Sequence, residues 1–227
     1  MVSTTQDGDE GGVVDAVVSA KILAAMARDT KPVRPLPGTM TMGAIFFLLC
    51  WAVAIVGGIA AGPKGFQLLT QVEWISIFGV LAAVTAGAAM LAARSMRPAA
   101  GRLYGGWPAA VSLVVAEMVF LAVFQDYDAS HFIHAGLVCL GLGSAFAIPV
   151  TCIAWLVMSR GFVVERVTGG MLAGLVGGLA GLSMLEVHCP LLTVPHVGFW
   201  HVAVVVVGLV FGACLGLRDN RSSDAAA

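Results

Sequence analysis

The sequence predicts an all-α, polytopic membrane protein: six transmembrane helices preceded by a short cytoplasmic amphipathic helix. Three observations carry that expectation. Of 227 residues, 59 % are apolar and 11 % charged, with a mean hydropathy of +0.95; soluble domains carry roughly 25 % charged residues. The apolar residues fall in blocks of about 20, the length that crosses a ~30 Å hydrocarbon layer at 1.5 Å per residue. Lysine and arginine are confined to alternate junctions between those blocks. The net charge of −1 says nothing about partners, because the charges are segregated along the chain.

Residues 1–12 have the acidic, glycine-rich composition of a disordered tail, and no apolar stretch of the signal-peptide kind follows. From Val13 to Asp29 the pattern changes. Val14, Val17, Val18, Ile22 and Met26 recur at three- and four-residue spacing and define one apolar helical face. Asp15, Ser19, Lys21 and Arg28 occupy other positions. This helix is too short to cross a membrane. It stops before Pro32, and the segment through Gly38 is a stiff, proline-rich linker. Two uses are open to it: lying on a lipid surface, or docking in the groove of a soluble partner.

Six apolar blocks follow, at about 41–61, 74–93, 107–125, 135–158, 167–187 and 197–217. The residues beyond, 218–227, read as a cytoplasmic tail. Short connections make neighbouring helices antiparallel, and an even number of spans puts both termini on one side. Eleven of the twelve basic residues, from Lys21 and Arg28 to Arg218 and Arg221, belong to the termini and the junctions after spans two and four. The opposite junctions hold only Lys64. By the positive-inside rule the termini are cytoplasmic.

All five histidines, His131, His134, His188, His196 and His201, then fall in or beside the outer junctions after spans three and five, with Asp126, Asp128 and Glu186. The last of these junctions, Glu186 to His201, carries one thiol, three imidazoles and one carboxylate. Cys139 sits about two turns into span four. Cys50, Cys152 and Cys214 lie within spans, where thiols behave as small hydrophobes, and are expected to be packing residues. Gly170, Gly174 and Gly178 on span five, and Gly208, Gly212 and Gly216 on span six, repeat every four residues. Such ridges let helix backbones approach closely in lipid. Spans five and six are expected to cross face to face; the rival use of one ridge is a homodimer interface. Glu117, in span three with no basic partner in any span, is expected to be a protonated, helix-bridging hydrogen-bond donor more than a proton relay.

On the outer side of a bacterial inner membrane, thiols meet an oxidising compartment. Cys139 and Cys189 are the only two thiols placed there. A structural disulfide, a reversible redox switch and a metal site are all open. Thiolate and imidazole together suit zinc, cadmium or copper, with Cys139, Cys189, His188, His131, His134, His196 and His201 as the candidate ligands. No cofactor is obligatory; a transition-metal ion would act as a signal. There is no glycine-rich phosphate loop, no serine–histidine–aspartate grouping and no cysteine pair at two-residue spacing, so an enzyme is not expected. A reactive outer face, a glycine-packed body and a tethered cytoplasmic helix have the layout of a transmembrane sensor. The alternatives are a small metal-ion transporter or exporter with a histidine-rich outer vestibule, and a quinone-linked thiol oxidoreductase.

Several stretches add a resemblance. The first is the N-terminal segment from Asp15 through Leu23-Ala-Ala-Met-Ala-Arg-Asp29 to Lys31-Pro-Val-Arg34. The Glu73-Trp74 pair opens span two, which runs to Arg97-Pro98, and Cys139 follows an outer loop. The closing block runs Gly170, Gly174, Gly178, His188-Cys189-Pro190, Trp200-His201, Gly208, Gly212, Gly216. In these the chain resembles the NrsF-type negative regulators of sigma factor F, six-span inner-membrane anti-sigma factors. The resemblance implies that the cytoplasmic segment holds an extracytoplasmic-function (ECF) sigma factor inactive; the apolar helical face of Val14, Val17, Val18, Ile22 and Met26 is the candidate surface for that contact. It also implies that Cys139 and Cys189 perceive periplasmic metal or oxidant stress and release the sigma factor. The sigma factor, membrane lipid and a second copy are the partners expected; direct contact with nucleic acid is not.

Overall fold

The computed structural model describes residues 19–21, 23–24, 36–97, 107–124, 126–161, 163 and 165–224. The chain divides into two units, Met1–Leu36 and Pro37–Ala227. In the first, residues 19–21 and 23–24 are helical and exposed, Leu23 among them. Val14, Val17, Val18, Ile22 and Met26, and the tail 1–12, lie outside the described residues.

The second unit is all helix among its described residues: α1 (Thr39–Ala61), α2 (Lys64–Leu68), α3 (Gln71–Ser95), α4 (Trp107–Val123), α5 (Phe132–Met158), α6 (Arg166–His188) and α7 (Val202–Asp224). A helical turn, Val194–His196, and a π-helical turn, Val197–His201, lead into α7. Among the described residues, five helical stretches are long and apolar enough to cross a membrane: α1, α3, α5, α6 and Val194–Asp219. The third expected span is α4, whose 17 residues reach only about 26 Å at 1.5 Å per residue. Within the segment expected as a tail, residues 218–224 form the last turns of α7, and residues 225–227 lie outside the described residues.

Boundaries follow local chemistry. The helix expected from Trp74 begins three residues earlier because Thr70 and Glu73 form a capping box. Thr70 Oγ1 accepts from the Glu73 N–H at 3.4 Å, and the Thr70 N–H donates to Glu73 Oε2 at 2.7 Å. Two backbone donors at the helix start are thereby satisfied. Gly62 ends α1 at φ +97°, a left-handed conformation open to glycine at no steric cost.

The bundle is organised around α6. Of its most apolar stretch 89 % is buried, against 28–39 % for the other four spanning helices. It packs against α1, α2, α3, α5 and α7. A helix surrounded on every side must be thin, and α6 is rich in glycine and alanine. A methyl group on Gly170 would collide with the Gly212 carbonyl, and one on Gly174 with that of Gly208. Gly178 abuts the Val205 backbone, where an added Cβ would lie 2.6 Å from Cα. Gly216 sits on the Arg166 carbonyl. Gly177 and Gly181 face α5 instead, against Ala147, Thr151 and Gly143. Both ridges are thus filled within one chain, by α7 and α5. The outer surface is studded with Leu48, Ile55, Val56, Ile75, Met118, Leu137, Leu156 and Val210, all exposed. So large an apolar exterior suits hydrocarbon and not water.

The junctions sort to opposite ends. At one, the Arg97 guanidinium donates to the Pro37 carbonyl at 3.0 Å, Gly161 abuts Met96, and Arg166 pairs with Asp219. At the other, the Val194 N–H donates to the Asp126 carbonyl at 2.7 Å and Gly65 of α2 rests on the carbonyls of Glu186 and Cys189.

Candidate functional site: a buried thiol–imidazole cluster

Cys139 projects from α5 two turns after its start, and Cys189 caps the end of α6, its N–H donating to the Leu185 carbonyl at 2.7 Å. Their sulfurs lie 3.5 Å apart and unbonded. Met184, Leu185, Ala147 and Val204 surround them with apolar side chains. Two residues without side chains allow this approach. Gly136, one turn before Cys139, receives Trp200, and Gly143 receives Leu185 and Val204.

The imidazoles bracket the π turn: His196 precedes its first residue and His201 is its last. His196 Nε2 is 3.4 Å from the Cys189 sulfur, and the His196 and His201 rings meet edge to face at 5.3 Å. One donor atom each from Cys139, Cys189, His196 and His201 lies within 4.8 Å of all the others, and all four residues are buried. In an α-helix, positions five apart diverge by about 140° at 3.6 residues per turn. In a π turn, bonded from i to i+5, they stack on one face. The irregular turn is therefore what aims both rings at the sulfurs.

Glu186 completes the arrangement. Its Oε1 is 2.7 Å from His201 Nδ1, with both side chains fully buried. A carboxylate only accepts, so the Nδ1–H donates and Nε2 is the ring nitrogen left to meet the sulfurs. Among the described residues that Nε2 makes no hydrogen bond of good geometry. The Cys189 thiol is held above the ordinary thiol range by its hydrogen bond to the Cys139 sulfur and by burial, while the two imidazoles pull the other way.

The remaining expected residues lie apart. His188 turns away, its Nδ1–H donating to the Gly62 carbonyl at 2.9 Å. His131 and His134 are exposed; His131, with Asp128, Ser130 and Thr193, lines a cavity of about 40 Å³ that reaches His196. The Ser130 hydroxyl and N–H hold the Asp128 carboxyl below the usual carboxylate range. A larger hollow of about 650 Å³ opens beside it between Leu68, Glu73, Phe124, Asp126 and Leu192. Of the three thiols expected to pack, Cys50 is buried and Cys152 half-buried, but Cys214 is exposed on the bundle surface. Its position on α7 faces away from α6, and an apolar exterior accommodates a thiol there. Glu117 makes no helix-bridging hydrogen bond through Oε2, which is buried and unpartnered; Oε1 lies against Gly198 of the π turn. The role of Glu186 was the residue-level signal that sequence reasoning missed: a carboxylate in the last turn of an apolar span needs a partner.

Because the Gly62 carbonyl anchors His188, Gly62→Ala is a direct probe of this end. Alanine at positive φ is strained, and nothing else lies within 4 Å of the added carbon. The expected result is a melting temperature in detergent lower by a few degrees, with the thiol pair still formed. An unchanged melting curve would mean the left-handed conformation is not maintained.

Fold and cluster together define a helical bundle of membrane-crossing lengths, with four soft and borderline donor side chains gathered at one end. A family model described as negative regulator of sigma F, NrsF, matches residues 18–221. The chain belongs to this family. It is also similar to a probable anti-sigma-F factor NrsF of Azospira oryzae, 27 % identical over 160 residues, which cover 67 % of this chain and 73 % of the relative. No solved structure matches.

Proposed function

We propose that the chain is a six-span anti-sigma factor of a bacterial inner membrane, both termini cytoplasmic, with α4 as its third span. Residues 13–34 hold an ECF sigma factor. Cys139 and Cys189 react with metal or oxidant on the outer face, and the sigma factor is released. The observation that carries this reading is the 3.5 Å approach of two thiols drawn from junctions 50 residues apart. Such a pair has a reactive geometry that packing does not require. The eleven-to-one distribution of basic residues supports the orientation.

The physical link is α6. Its 23 residues span about 34 Å, from His188, next in the chain to Cys189 of the cluster, to Arg166 at the far end. A signal shifts an equilibrium only through different affinity for two states. Changing the position of α6 by binding at Cys189 satisfies that condition, and about 1.4 kcal/mol of preference alters sigma occupancy tenfold.

The test has two arms. Co-purification with candidate sigma factors is expected to succeed with the whole chain and fail after removal of residues 1–38; retained capture would reject the docking role. Induction of the regulon by metals or oxidants is expected to vanish in both Cys139→Ser and Cys189→Ser. Induction surviving in both would rule out sensing by the pair.

A further inference from the structure

We propose that Cys139, Cys189, His196 and His201 form a closed, four-coordinate site for a borderline divalent cation, with zinc as the reference ion and Glu186 as its positioning residue. The inference deepens the sensing reading and rests on it only for the consequence of binding, not for the binding itself.

Geometry supports it first. Bonds of ~2.3 Å to sulfur and ~2.0 Å to nitrogen at tetrahedral angles separate the four donors by roughly 3.3–3.8 Å. Here the sulfurs are 3.5 Å apart, Cys189 Sγ and His196 Nε2 are 3.4 Å apart, and every pair is within 4.8 Å. Small side-chain adjustments close the remaining distance.

Unmet valence supports it second. Among the described residues His201 Nε2 is buried and makes no hydrogen bond of good geometry, with only the Cys189 sulfur in loose reach. A polar atom so poorly satisfied in an apolar cluster is costly, and a cation at the centre of the cluster satisfies it. The ring is already oriented for that role. A carboxylate accepting from Nδ1 fixes the tautomer that leaves Nε2 free, the arrangement that recurs behind metal-bound histidine. His196 Nδ1 likewise has no partner among the described residues, and His196 lines the 40 Å³ cavity, which is roomy enough for a water. That cavity supplies an entry path past His131 and Asp128.

The donor set selects the ion. Two thiolates and two imidazoles match zinc and its softer congeners and disfavour magnesium or calcium, which take oxygen. No donor is left over for substrate, so the site is a closed one that locks α5, α6 and the π turn together, unlike a catalytic centre with an open position. His131, His134 and His188 take no part.

The test uses the whole chain, purified reduced in detergent without any sigma factor. Zinc, titrated against a chromophoric chelator, is expected to bind one per chain. Binding should be lost in Cys139→Ser and Cys189→Ser, weakened at least tenfold in His196→Gln and His201→Gln, and unchanged in His131→Gln and His134→Gln. Cobalt(II) provides a readout that needs no variant: intense tetrahedral ligand-field bands with thiolate charge transfer are expected. Glu186→Gln should lower affinity about 10–100-fold and shift those bands, where simple damage to the fold would erase them. Octahedral cobalt bands, or zinc affinity unchanged in both His196→Gln and His201→Gln, would overturn the site. A wild-type chain that captures its sigma factor yet binds no zinc would overturn this inference alone. Zinc bound with the expected ligands but no sigma captured would leave it standing and reject the anti-sigma reading.

Discussion

Gly174→Leu is expected to destroy the native bundle, while Gly87→Leu leaves it intact. At Gly174 an added Cβ would lie 2.7 Å from the Gly208 carbonyl carbon and 3.0 Å from Leu209 Cα, with the Gly208 oxygen nearer still. These are backbone atoms, so no rotamer change relieves the collision. The two helices must separate, and contacts along α6 and α7 are lost together. Overpacking a core costs about 1–3 kcal/mol where side chains can adjust; against backbone the upper end is the minimum. At roughly 2–4 °C per kcal/mol for a chain of this size, the melting temperature should fall by at least roughly 6–12 °C. Gly87 meets nothing within 4 Å, and leucine there adds only apolar exterior. Thermal scanning in detergent reads both. Equal stability of the two variants would show that α6 and α7 do not pack through this ridge.

Mild oxidation is expected to join Cys139 to Cys189 quantitatively and leave the other three thiols untouched. The sulfurs need approach by only about 1.5 Å to reach the ~2.05 Å of a disulfide. With a peroxide as the two-electron oxidant, the two thiols lose two electrons and two protons, and the peroxide is reduced to water. Alkylation in denaturant followed by intact-mass measurement should then count three labels in place of five, since Cys50, Cys152 and Cys214 remain. Closing a loop of 50 residues stabilises by roughly 4 kcal/mol in the chain-entropy picture, so the oxidised form should also melt later. Cys139→Ser should show four labels before and after treatment. Bound zinc should slow the reaction, because the sulfur lone pairs that attack the oxidant are then engaged. Five labels after oxidation of the wild-type chain would show that the pair cannot close.

Much of the architecture was legible in residue order. Hydropathy over about 20 residues is a local sum, and it placed five spanning helices to within a few residues. It over-extended the third, where the helix ends at Val123, and began the second late, because a capping box is a hydrogen-bond pattern and not a hydropathy signal. Glycines four apart lie on one face of a helix whatever their surroundings, so the ridges of α6 and α7 could be read directly. That they face each other was expected, with a homodimer interface as the rival use; the fold sets Gly170 against Gly212 and Gly174 against Gly208 within one chain.

The sequence by itself determined the helical class, the basic and histidine-bearing junctions, and the residues from which a thiol–imidazole site must be built. Tertiary structure decided which of seven candidate donors converge, and the reason is angular. Helix phase and crossing set where a side chain points. A π turn brings His196 and His201 onto one face, where regular winding would have spread them by about 140°. His188, adjacent to Cys189 in the chain, is directed to the Gly62 carbonyl. Glu186 became part of the cluster only when α7 folded back along α6 and brought His201 within 2.7 Å of its carboxylate.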